Sequence, residues 1–228
     1  QGELRNTIEI PLSEAKDISI VYSSDNLKIY PIEGNKVIIK EYLSSKRGED
    51  ALASVVVNDG KASITGGNRM HFSMFLWISV NEWIEVYLPG EGIQNLEVQA
   101  SSGNITAEEI ELQAETVNIT AKSGNIKWQN TDATKVELEA SSGNLRVHQI
   151  TGDDILLAAK SGNISGEEIQ GKADVTAGSG NVTITGFKGE GTVITQSGNV
   201  KVEAEEITGD MKMEAGSGNV KLQIPKEF

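Results

Sequence analysis

The chain has 228 residues and a mass of 24.4 kDa, with 38% apolar and 23% charged residues, enough to bury a core and too apolar for a disordered tail. Twenty Lys and Arg against 33 Asp and Glu leave a net charge of −13, which opposes nucleic-acid binding, because affinity for a phosphate backbone comes mostly from basic neutralisation. The absence of cysteine removes disulfides, thiolate nucleophiles and thiolate metal sites, and the two histidines, His71 and His148, leave little for a histidine-based centre. No cofactor and no metal are therefore expected.

A triplet, Ser-Gly-Asn, recurs at 102–104, 123–125, 142–144, 161–163, 179–181, 197–199 and 217–219, with spacings of 21, 19, 19, 18, 18 and 20 residues. That period is too short for a helix pair and suits one coil of a β-solenoid. Apolar residues alternate on both sides of the triplet, as two strands with one buried face each require. Upstream the rows read Leu96, Val98, Ala100 in the first such coil and Val136, Leu138, Ala140 in the third; downstream they read Ile105, Ala107 and Leu145, Val147.

Taken from the N-terminus, the chain begins Gln1-Gly2 without an initiator Met, which implies an upstream segment, and any signal or anchor is expected outside this chain. Residues 18–34 fit the template. Ile18, Ile20 and Tyr22 precede Ser24-Asp25-Asn26, and Leu27, Ile29 and Ile32-Glu33-Gly34 follow it. The 78 residues from Ser24 to Ser102 equal about four periods, so Val55–Val57, Ala62–Ile64 and Ile84-Val86-Leu88 are expected as strands of coils lying between. Residues 43–82 fit the register poorly and are expected to form a loop or an elaborated coil. Their longest apolar stretch, Met74–Ile78, is far too short for a membrane span.

From residue 93 the coils are regular. Gly and Asn in each triplet tolerate a left-handed backbone, so Asn26, Asn104, Asn125, Asn144, Asn163, Asn181, Asn199 and Asn219 are read as structural corner residues that can also hydrogen-bond up the stack. A third corner is marked six residues after the Asn by Ile110, Ile150, Ile169 and Phe187; the corresponding Ile207 comes two residues late, so that coil should bulge. The chain is thus expected to be all-β: one right-handed parallel β-helix domain over 1–228, with coils of about 19 residues, irregular over 1–92 and regular over 93–228.

A Ser-Gly-Asn/Asp-Ile/Val repeat of this period, entered through Ile84-Glu85-Val86-Tyr87-Leu88-Pro89 and including Ser24-Asp25-Asn26, resembles the bacterial putative adhesin family, β-helical surface or envelope domains of unknown function. The resemblance covers nearly the whole chain and rests on corner and core residues. It implies an extracytoplasmic surface module, with glycan, cell-wall polymer or protein as partner, and no catalytic residues to transfer. Related domains in envelope-stress proteins imply the alternative of a sensing or scaffold domain that binds cationic antimicrobial peptides or a protein.

Among outward residues, the position two after each Asn carries Lys127, Arg146, Lys201 and Lys221, readable as a basic stripe or as a solvated mixed-charge face. Phe72, Phe75, Trp77 and Trp83 mark an aromatic segment, readable as an end cap or as a partner-binding patch. Paired carboxylates such as Glu108-Glu109 and Glu167-Glu168 are neighbours in sequence on corners, without the opposed spacing of glycoside hydrolysis, so no enzyme is expected.

Overall fold

The computed structural model describes residues 1–69 and 81–225. Its strands in chain order are β1 (Glu3–Pro11), β2 (Asp17–Tyr22), β3 (Asn26–Ile32), β4 (Lys36–Leu43), β5 (Ser54–Asn58), β6 (Lys61–Thr65), β7 (Trp83–Pro89), β8 (Asn95–Ala100) and β9 (Ile105–Ala107). They continue as β10 (Leu112–Ala121), β11 (Ile126–Ala140), β12 (Leu145–Ala159), β13 (Ile164–Ala177), β14 (Val182–Thr195), β15 (Val200–Ala215) and β16 (Val220–Gln223). All sixteen belong to one curled sheet, wound as a β-solenoid of about seven turns.

From β10 onward each coil lies parallel on the one before it, so like stacks on like. Val117, Val136 and Ile155 pair in succession, as do Ile119, Leu138 and Leu157. These inward residues are at most 2% exposed, and each large one contributes roughly 1.5–3 kcal/mol on burial. Ile110, Ile150, Ile169 and Phe187 are buried at the third corner as the pattern requires. Thr131 stands in that row where the other coils have Ile or Phe, and its hydroxyl accepts the indole N–H of the buried Trp128 at 2.7 Å. The expected bulge is present: the β14–β15 register slips between Ile184 and Gly191, Ala204 pairs with Phe187, and Ile207 pairs with Gly189 instead of entering the Phe187 row.

The order of the N-terminal layers differs from the expectation. Coil 18–34 lies directly on the first regular coil: Ile18, Ile20 and Tyr22 pair with Leu96, Val98 and Ala100, and Leu27 and Ile29 with Ile105 and Ala107. No coil intervenes. β6 and β7 stack on the opposite side of this coil, with Ile64 on Ile20 and Ile84 on Leu27. The chain winds the second layer first, moves outward to build the end layer, and then returns. Ladder pairing requires matched rows between stacked coils, not consecutive ones. Beyond the end layer β4 pairs antiparallel with β7, β1 with β4 and β5 with β6, which covers that end of the stack.

Candidate functional site

The corner column is a hydrogen-bonded ladder. The backbone N–H of Asn104 donates to the side-chain oxygen of Asn26 at 2.9 Å, and the pattern repeats at 2.8–2.9 Å through Asn125, Asn144, Asn163, Asn181 and Asn199 to Asn219. The reason for the glycines differs from the expectation. None of the triplet residues has positive φ. Instead, a Cβ on Gly124, Gly143 or Gly162 would lie 2.0–2.1 Å from the carbonyl oxygen of the glycine one coil below, so the coils approach too closely for any side chain. Left-handed backbone falls five residues after the Asn, at Asn130, Gln149, Glu168 and Gly186, where φ is 48–61°. Apart from Gly186, no glycine advertises that turn in the sequence.

At the capped end Asp25 replaces the glycine, and its side chain turns toward the end layer. Its carboxylate meets the Arg69 guanidinium at 3.0 Å, and Arg69 also approaches Glu41 at 3.5 Å. Glu41, fully buried, accepts from the Tyr22 hydroxyl at 3.0 Å, the Asn6 amide at 2.8 Å and the Ala53 N–H at 2.9 Å. Burial raises the Asp25 carboxyl above the usual aspartate range against the pull of Arg69, and burial beside Glu41 raises the Tyr22 hydroxyl. Nearby Arg47 holds Glu82 through a two-pronged contact at 2.8 and 3.0 Å; burial works against that carboxylate, yet Arg47 and the Ser44 N–H bring it below its ordinary value. This cluster seals the solenoid end, and a breach of it would strand a buried charge.

The basic row lies on one outward face but is divided. Lys127 adjoins Arg146 and Lys201 adjoins Lys221, with Ser165 and Thr183 between the two pairs. Lys127 approaches Glu108 at 3.5 Å and Lys201 meets Glu203 at 3.1 Å, so acidic neighbours offset part of the charge. His148 lies half-buried beside Glu167 at 3.2 Å. Phe72, Phe75 and Trp77, with His71, lie outside the described residues.

Trp83 is described, and it belongs to a face that the sequence pattern did not assemble. On the outward side of β3, β7 and β4, Tyr42 stacks on Trp83 at 4.6 Å and 5°, and Tyr30 lies 5.5 Å from Tyr87. Lys28 caps the Trp83 ring at 4.9 Å and Lys40 the Tyr87 ring at 5.2 Å. Glu85 sits between the lysines and accepts from the Trp83 indole at 2.9 Å and the Tyr87 hydroxyl at 2.6 Å. Burial, then Glu85, raises the Tyr87 hydroxyl. The aromatic and cationic side chains hold one another upright as a half-buried, ordered surface.

A second feature lies on the third-corner side. An open groove of about 770 Å³ crosses several layers, and Glu33, Glu91, Glu109, Glu111 and Asp132 line it without a single Lys or Arg. All five carboxylates are exposed. Among the described residues no group of His, Cys, Asp and Glu is arranged to hold a metal, and no helix is long and apolar enough to cross a membrane.

Fold and corner chemistry together define a β-solenoid whose repeated residues serve the stack. The chain belongs to the Toastrack DUF4097 family, whose model matches residues 15–228. Solved structures with the same fold include a putative adhesin from Bacteroides fragilis, 15% identical, with a TM-score of 0.59 and 96% of each chain covered. A putative lipid binding protein from Parabacteroides distasonis is 15% identical with a TM-score of 0.55, covering 95% of this chain and 96% of that one. A putative adhesin from the same species is 10% identical with a TM-score of 0.54, covering 96% and 97%. Comparison with curated proteins gives no match.

Proposed function

We propose that the chain is a non-catalytic extracytoplasmic module, a rigid scaffold that binds envelope or host polymers in the manner of an adhesin. The observation that carries this reading is the ordered Trp83–Tyr42–Tyr87–Tyr30 face with Lys28 and Lys40, since the repeated residues are already used in corners and core. A sheet face with upright aromatic edges, phenol hydroxyls and two ammonium groups offers apolar and hydrogen-bonding contacts along the length of a polymer. The adhesin-type names of the structural neighbours support the same setting. The non-catalytic part of the proposal rests on the groove carboxylates: a general acid at neutral pH is typically a carboxyl kept protonated by apolar surroundings, and these five are solvent-exposed.

The same groove favours a second reading. Five carboxylates with no lining cation suit a cationic peptide, as in an envelope-stress scaffold. A solid-phase panel of host matrix proteins, mucin glycans, bacterial wall polymers and cationic peptides separates the two. Polymer binding that weakens at least about tenfold in a Lys28→Ala/Lys40→Ala variant supports the first reading. Saturable peptide binding that is lost at high salt and in Glu109→Gln/Glu111→Gln supports the second.

A further inference from the structure

The Asn ladder uses half of each side chain. From Asn26 to Asn199 the side-chain oxygen accepts the next Asn N–H, while among the described residues the amide nitrogens have no partner. All eight Asn are exposed, so the stack presents a column of amide donors, one at each strand spacing of about 4.8 Å. The rows beside it keep the same character. Each of the eight coils has four outward positions at this corner: the residue before the Ser, the Ser, the Asn and the second residue after the Asn. None of these positions is Asp or Glu, in a chain with 33 acidic and 20 basic residues. Acidic residues begin in the next row on either side, with Glu139 and Glu214 upstream and Glu108, Glu167 and Glu203 downstream.

Cations gather in three adjoining coils of this strip. Lys127 and Arg146 lie side by side on one flank of the Asn column, and Lys122 and Lys160 lie on the other with Ser141 between them. All four are exposed. Among the described residues Lys122, Arg146 and Lys160 form no ion pair, and Lys127 approaches only the exposed Glu108, at 3.5 Å. Like charges directly opposite on neighbouring strands oppose stacking, so the Lys127–Arg146 pairing does not serve the stability of the fold. Between the two basic flanks stand the amides of Asn125, Asn144 and Asn163.

We propose that this corner strip is a binding track for a linear acidic polysaccharide lying along the stack. Carboxylate or sulfate groups would meet the four cations, and sugar oxygens would accept from the Asn amides and Ser hydroxyls between them. The strip carries no aromatic or aliphatic side chain, so it lacks the stacking rings that suit single-stranded nucleic acid and the apolar face that suits a membrane surface. It is separate from the face around Trp83, and Lys40 lies outside it.

The test measures binding of the full chain to polygalacturonate and chondroitin sulfate, with methyl-esterified polygalacturonate, single-stranded DNA and phosphatidylglycerol vesicles as comparisons. Saturable, salt-sensitive binding of at least one acidic polysaccharide is expected, weakened at least about tenfold in Lys122→Gln/Arg146→Gln/Lys160→Gln and unchanged in Lys40→Ala. Asn144→Asp is expected to weaken it as well while keeping the parent melting temperature, because the carboxylate still accepts the Asn163 N–H as the Asn144 oxygen does at 2.8 Å. Absence of binding to both acidic polysaccharides overturns the proposal, as does equal binding of the methyl ester or of the triple variant. Tighter binding of DNA or vesicles overturns it too. Binding lost in Lys40→Ala but kept in the triple variant assigns the polymer to the Trp83 face and overturns the track while leaving the adhesin-like reading intact.

Discussion

Gly143 has no room for a side chain: its Cβ would lie 2.1 Å from the Gly124 carbonyl oxygen, which is backbone and cannot swing aside. Gly143→Ala should therefore cost about 1–3 kcal/mol through forced separation of two coils, measured as a lower urea midpoint at unchanged slope. The alanine would be conformationally acceptable there, since φ is not positive, so the cost isolates crowding from backbone strain. The sequence showed that glycine is required at this place but not why, because a left-handed turn and a close approach select the same residue. Conversely, the residues that do turn left-handed include Gln149 and Glu168, whose identities give no hint of it. Stacking fixes them: once one coil turns there, the coils above follow its path.

At the level of single elements, the strands were legible where burial is one-sided. The inward rows of β11 to β14 follow the alternation read from the triplets, and Trp128, one of those rows, is buried with its N–H on Thr131. β5 was read as a strand, but its place as an edge was not visible. Val55, Val56 and Val57 are 39%, 61% and 46% exposed, on an outer strand without charge, proline or bulge to protect it. Val56→Lys should leave stability within about 0.5 kcal/mol and reduce self-association, read by light scattering at matched concentration. The face around Trp83 was beyond a periodic reading for a different reason. Tyr30, Tyr42, Trp83 and Tyr87 come from three strands, and only the antiparallel β4–β7 pairing brings Tyr42 against Trp83.

For the whole molecule, the stacking order of the layers sets the distribution of stability. A solenoid is held by neighbour-to-neighbour contacts, so a layer with one neighbour is weaker than a layer with two. Amide hydrogen exchange should accordingly be fastest in β16 and the second half of β15 and slowest in the central layers β11–β13. The β2–β3 layer should remain protected, since β6 and β7 cover it and β4 covers β7. Equal protection along the whole stack would contradict this reading.

By itself the sequence determined the solenoid, its period, its inward rows, the Asn ladder and the slip before Ile207, because identical local demands recur at every turn and leave a visible repeat. Only the tertiary structure decided that coil 18–34 lies directly on the coil that starts 78 residues later, that the corner glycines answer to crowding, and that the N-terminal end is sealed by Asp25, Arg69 and Glu41. Those outcomes depend on which matched layers meet. A repeating sequence makes many such pairings equivalent, and the choice falls to the non-repeating residues at the ends.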